Sequence, residues 1–497
     1  MPSTNTLIIM HISIENLGPL SKAEFDLKPL TVFIGNNRQG KSQALYLVTS
    51  LLETYGLNAY IENYLADDNL RLLEIDSLYN AFIENGQASI DIVAFFKEQG
   101  QNYLNKLSTL APKYTNKILG TAKSNYNNLK LTYTLSKRDC EQCCDKLFRY
   151  AFESRYVGLG INIIKEANSR DIFIYKSDKY SEKTPSREII NHILQSILSP
   201  IHLNLINSLV YFPSERVGVS LIIQMLSNIG LQSFVNASEK NPFGLSMNTV
   251  SYPVQHFIGL LLLYCLRDSH LISDTLKRNE TDGRTFSLLA DLLTKKIIGE
   301  KVFLADNDPE VIKEILVEVD GKIIDLSAAS SGVKGMMGLV LYLQNIAEKG
   351  NLVVIDEPEL NLHPTQQASF VEFLALLVNN GLKVAITTHS PYIVEHLQNL
   401  ILANDLNDKS DIVEKLYLKR EDAFIAKEDV GIYLFENGTT ENILLNDGSI
   451  NWQTFCDTAN DIENVETAIY RQKRYEEENR NSSFPCKNVA EHNPTYK

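Results

Sequence analysis

The chain has 497 residues, 44% of them hydrophobic and 22% charged, with a net charge of −14. That is enough chain for two or three soluble globular domains, and six cysteines in it exclude a disulfide scaffold. The start, MPSTNTLIIM, lacks a secretory signal, and the longest apolar run, FIGLLLLYCL at 257–266, is half the roughly 20 residues of a membrane span. A buried helix and a cytoplasmic protein are expected.

In chain order, residues 7–34 read as strands, LIIMHISIENLG and FDLKPLTVFIG, both closed by glycine. TVFI runs straight into GNNRQGKS (35–42), which places Gly35, Gly40, Lys41 and Ser42 at the spacing of a phosphate-gripping loop. QALYLVTSLLETYG behind it has helical periodicity, so the loop has the strand-to-helix context it needs. Asn36, Asn37, Arg38, Gln39 and Gln43 complete the set expected around the nucleotide.

Residues 56–205 form an insertion of helical stretches with a hairpin expected at NLKLTYTLSK, and no heptad repeat that would make a long coiled coil. Residues 97–187 carry 17 Lys and Arg against 9 Asp and Glu, a local balance of +8 in an acidic protein. Within 101–138 there are seven basic and no acidic residues, interleaved with Tyr103, Tyr114, Tyr126 and Tyr133. Lys113, Lys117, Lys123, Lys130, Lys137 and Arg138 are candidates for nucleic-acid phosphates, the tyrosines for stacking on bases. The same charges could dock an acidic partner or a second copy of this chain, and a solvated helix face would read the same way. CEQCC (Cys140, Cys143, Cys144) offers half a zinc site, but no second CxxC or HxxxH follows, and ordinary thiols are expected.

LVYFPSERVGV (209–219) reads as a buried strand ending in a turn, followed by a mostly helical region to residue 300. Strands return with KVFLADN and EILVEVDGKIIDL. In DLSAASSGVKGMMGLVLYL (325–343), Ser330, Ser331 and Gly332 precede a helical run and Lys334 opens it, so free amides there would face an anion. A plain capping serine is the simpler alternative. NLVVIDEPELNLHP (351–364) is an apolar strand ending in Asp356, placed with Ser42 to hold Mg²⁺, and Glu357, placed to activate water. LKVAITTHSP (382–391) repeats the pattern, with His389 at the strand tip where a terminal phosphate would be sensed. GIYLFENGTTENILL (431–445) reads as a hairpin at Phe435–Gly438, and the polar last 25 residues as a frayed tail.

GNNRQGKS, YFPSERVG, SSGVKG, VVIDEPELNLHP and ITTHSP, in this order, resemble the ABC-type ATPases of the RecF, SMC and OLD kind. They are most similar to AAA-labelled ATPase subunits of prokaryotic phage-defence systems of the Septu and PARIS type. The resemblance covers residues 7–55 and 209–455. It implies an α/β P-loop ATPase with a mixed sheet, a helical signature subdomain and a large mainly helical insertion. The corresponding divisions are 1–55 and 306–455 for the core, 56–205 for the insertion, 206–305 for the helical subdomain, and 456–497 for a polar helix and tail. It further implies ATP and Mg²⁺ sandwiched between two protomers, with Ser330, Ser331, Gly332 and Lys334 acting in trans. Asn361, Leu362 and His363 would couple the two sites. Val333 and Lys334 replace the transporter-type Gly-Gln, and Arg38 stands where many relatives have glycine. No standard Gln loop is present, and Ser-Glu-Arg (214–216) stands where the family enters its helical subdomain, so Glu215 or Arg216 would serve there.

Four roles compete: a switch controlling a separate nuclease, a DNA-bound clamp, a nuclease, and half of a transporter. The insertion and the signature disfavour a transporter. Only 61 residues follow Glu436, without the Asp-x-Asp of a Toprim domain, so no nuclease activity of the chain's own is expected. The missing long arms favour the ATP-driven switch of a defence complex, acting as a homodimer or higher oligomer with a separate effector.

Overall fold

The computed structural model describes residues 9–180, 185–229, 250–265, 280–305, 314–451, 464–474 and 476. The chain opens with β1 (Met10–Leu17) and β2 (Leu20–Leu27), then β3 (Leu30–Ile34), which leads through the phosphate loop into the helix Lys41–Leu52. The expected second strand is therefore two, broken at Lys28–Pro29, because proline has no N–H for a ladder. The insertion contributes β4 (Gln87–Asp91), β5 (Lys130–Leu135), β6 (Phe152–Tyr156), β7 (Ile161–Lys165) and β8 (Asp171–Lys176) among longer helices. After it come β9 (Leu209–Phe212), β10 (Lys301–Leu304), β11 (Ile315–Val319), β12 (Lys322–Asp325), β13 (Leu352–Asp356), β14 (Lys383–Thr388), β15 (Val430–Glu436) and β16 (Thr439–Asn442).

The central sheet has the order β16-β15-β3-β14-β13-β9, parallel except for β16. Strands β13 and β14 are buried at every position, as parallel strands covered on both faces must be. In register, Ile34 faces Thr388 and Asp356 faces Thr387, so the carboxyl ends of β3, β14 and β13 lie side by side. That edge is where an open α/β sheet binds its ligand. The expected hairpin at Phe435–Gly438 joins β15 to β16, with Asn437 and Gly438 both at positive φ (51° and 78°) as a tight hairpin turn requires.

The expected hairpin at NLKLTYTLSK is absent. Strand β5 pairs instead with β1, extending the antiparallel sheet β2-β1-β5. The residues after it form the helix Lys137–Arg149, capped by Ser136, whose hydroxyl accepts from Asp139 N at 3.1 Å. The rest of the insertion is mainly helical, with a four-stranded antiparallel sheet β4-β8-β7-β6. One apolar core runs through β1, β2, the helix Lys41–Leu52 and the insertion. Residues 450–497 form a separate unit, whose described part is a solvent-exposed helix at 464–474. The rest of the expected tail, with Cys456 and Cys486, lies outside the described residues. Among the described residues no helix is long and apolar enough to cross a membrane.

Candidate functional site: a phosphate loop facing two acidic residues

Gly35 begins the loop at φ 137°, and a Cβ there would lie 2.3 Å from the carbonyl oxygen of Phe435, so only glycine fits. Gly40 ends it in the left-handed region (φ 84°), and the helix Lys41–Leu52 starts with its free amides directed at the loop. Lys41 is buried, its ammonium donating to the carbonyls of Gly35 (2.8 Å) and Asn36 (2.9 Å). Burial pulls its pKa down to about 8, against the opposing pull of Glu357, Asp356 and Glu359.

Across the cleft, Asp356 is held at three points. Ser42 Oγ donates to Oδ1 at 2.7 Å, the Thr387 hydroxyl donates to the same oxygen, and Tyr46 OH donates to Oδ2 at 3.0 Å. Burial pushes the Tyr46 phenol far up, so it stays protonated as a donor. Glu357 follows in the left-handed region (φ 49°), which turns its side chain away from the strand direction. Its Oε1 lies 3.2 Å from His389 Nε2, and that hydrogen bond holds the carboxyl below its usual range despite burial. His389 Nε2 is also 3.4 Å from Lys41 Nζ, so the imidazole sits between the ammonium and the carboxylate. Glu359 fixes the histidine from behind, accepting from His389 N at 2.6 Å and Thr388 Oγ1 at 2.9 Å, and burial pushes its own carboxyl up.

A cleft of about 570 Å³ lies among these groups, lined by Pro19, the loop from Asn37 to Gln43, Glu357 and His389. The Ser42 hydroxyl in its lining and the buried Asp356 carboxylate bonded behind it are hard oxygen donors that fit Mg²⁺, which takes few protein ligands and completes its shell with phosphate and water.

The other candidates lie elsewhere. Ser330, Ser331, Gly332 and Lys334 do not line the cleft. Ser330 caps the helix Ser331–Asn345, accepting from Val333 N at 3.3 Å, and Lys334 Nζ closes its own turn on the carbonyl of Ser327 (2.8 Å). A Cβ on Gly332 would sit 3.2 Å from the Asn361 carbonyl, so the helix start abuts the loop of Asn361, Leu362 and His363. His363 caps the helix Pro364–Asn379.

The stacking expectation is overturned, because Tyr103, Tyr114, Tyr126 and Tyr133 are all buried in the core. Of the basic residues, Lys130 pairs with Glu15 at 3.1 Å, and Lys113 and Lys117 lie over the ring of Tyr114, 5.7 and 5.5 Å from its centroid. Lys123, Lys137 and Arg138 are exposed. Cys140, Cys143 and Cys144 are free thiols, and burial pushes Cys143 up to about 12.

Motif spacing does not reveal Tyr46, Thr387 or Glu359. Tyr46 stands four residues after Ser42, one turn along the same helix face, which is a legible signal.

Among solved structures the chain is similar to the Smc head domain with an extended coiled coil bound to the C-terminal domain of ScpA, derived from Pyrococcus furiosus. Identity there is 12%, covering 92% of this chain and 99% of that one, with a TM-score of 0.35. It is also similar to an SmcHead bound to the C-winged helix domain of ScpA, at 11% identity over 88% and 97% of the two chains, with a TM-score of 0.32. Both superpositions are loose, and the architecture rests on the sheet order and the phosphate loop. Residues 8–394, well over half of the chain, match the AAA ATPase domain family AAA_15, and the chain belongs to that family.

Proposed function

We propose that the protein hydrolyses ATP to ADP and phosphate in this cleft and uses the cycle to open and close a pair of protomers. The observation that carries the reading is the 2.7 Å bond from Ser42 to Asp356, with Glu357 and His389 at the same mouth. The loop amides and Lys41 would bind the β- and γ-phosphates, and Ser42 with Asp356 would hold Mg²⁺. When bound, Mg²⁺ neutralises charge on the phosphates. Glu357 is ionised and open to the cleft, suited to orient water and accept its proton. His389 contacts both Glu357 and Lys41, so loss of the terminal phosphate would be felt at the carboxylate.

The signature helix end at Ser330, Ser331 and Gly332 would complete the site of a second copy, since none of these residues lines the cleft of its own protomer. The motif resemblance supports a narrower reading: the ATPase of a prokaryotic anti-phage complex that controls a separate nuclease, with the insertion carrying the trigger or partner contact.

The test is steady-state turnover with Mg²⁺ and ATP. Glu357→Gln is expected to bind ATP as the wild type does and to lose about 10²- to 10⁴-fold in turnover. Normal turnover in that variant would refute the assignment.

A further inference from the structure

Arg216 is the largest fully buried side chain among the described residues, and no carboxylate there forms an ion pair with it. Four N–H groups donate instead to backbone carbonyls: Nε to Gly335 (3.0 Å), Nη1 to Pro213 (3.1 Å) and Asp356 (2.7 Å), and Nη2 to Glu357 (2.9 Å). A guanidinium buried on carbonyls is costly to keep even with the charges of Asp356, Glu359 and Glu357 nearby to offset its burial, and packing alone would be served as well by an apolar side chain. Its acceptors come from three places. Pro213 lies in the turn after β9, Gly335 in the first turns of the helix Ser331–Asn345, and Asp356 and Glu357 at the end of β13. Glu357 is the residue held at positive φ, and its carbonyl is one of those fixed.

We infer that Arg216 is a positioning residue for hydrolysis, holding the backbone of Asp356 and Glu357 in register and tying it to the start of the helix Ser331–Asn345. A shift of that helix is then transmitted through one rigid, planar group to the carboxylate that acts on water. A lysine cannot reproduce this, because a single ammonium cannot span three segments in one plane. The inference rests on the proposed role of Glu357.

The experiment uses the full chain with Arg216→Lys and Arg216→Met, each alone and combined with Glu357→Gln. ATP affinity, turnover and amide hydrogen exchange are measured. The expected result is ATP affinity within about threefold of wild type and turnover lowered about 10- to 100-fold, as for a misplaced catalytic group. In the Glu357→Gln background no further loss is expected, because both changes remove the same function. Exchange should quicken together at 356–362 and 331–338 and stay unchanged in 41–52.

Affinity falling in step with turnover, loss of folded protein in both variants, additive loss in the double variant, or quickening at only one segment would each overturn the inference. If Glu357→Gln alone keeps wild-type turnover, the reading of Glu357 fails and this inference fails with it. If that variant is slow but the losses add, only the inference fails.

Discussion

In the proposed site, Lys41 is the residue that would meet the anion. Its ammonium is buried against two carbonyls, and its pKa falls to about 8 from 10.5. For a base with a depressed folded-state pKa, the penalty on folding is fully present below pH 8 and is relieved between pH 8 and 10.5. Bound phosphate needs the charged form, so the dependence for binding has the opposite sign. ATP affinity at saturating Mg²⁺ is expected to be flat below pH 8 and to fall by up to about tenfold per unit above it. Calorimetric titration from pH 7 to 10 checks this, and affinity rising above pH 8 would mean that Lys41 does not meet the phosphate. The identity of Lys41, Ser42, Asp356 and Glu357 is legible because each sits in a short motif whose chemistry is local. Thr387 and Glu359 serve those residues through contacts between segments, which spacing along the chain does not encode, whereas Tyr46 stands one helical turn after Ser42.

Among the elements, β5 marks where sequence reading stops. Its alternation, LTYTL, shows a strand with Leu131 and Tyr133 on one face, but not its partner. The partner is β1, more than a hundred residues earlier, with Tyr133 opposite Ile12. Ser136 and Asp139 behind it form a helix start, where a second hairpin strand was expected. The buried Tyr133 hydroxyl donates to the carbonyl of Val48 at 2.9 Å, linking this outer sheet to the helix that begins at the phosphate loop. Tyr133→Phe should cost about 1 kcal/mol of stability by losing that bond, and Tyr133→Ala about 3–5 kcal/mol by leaving a cavity. Urea titration reads both, and a Tyr133→Ala change below about 1 kcal/mol would place the ring at the surface, restoring it as a stacking candidate.

At the scale of the whole molecule, the sheet order brings together residues 314 apart in sequence, Ser42 and Asp356. Strand β14 lies between β3 and β13, so His389 at its end is carried to the point between Lys41 and Glu357. This convergence was legible in outline, since an ordered set of phosphate-handling motifs requires a parallel sheet to assemble them. The part played by Arg216 was not legible, because the residue contributes no side chain to the cleft and acts through the carbonyls of Gly335, Asp356 and Glu357, far off in sequence, besides that of nearby Pro213. The insertion remains distinct in charge, at +8 over residues 97–187, while Tyr103, Tyr114, Tyr126 and Tyr133 are spent on the core. Any nucleic acid held at 101–138 would meet lysines without those four rings, with the strong salt dependence phosphate contacts carry.

The proposed cycle turns on a second protomer completing the site. Mass photometry of the Glu357→Gln protein with and without ATP and Mg²⁺ tests this most directly, with Ser331→Arg added at the exposed helix start. An ATP-dependent rise in particle mass that Ser331→Arg abolishes is the predicted result. A mass unchanged by bound ATP, or a rise indifferent to Ser331→Arg, would contradict it.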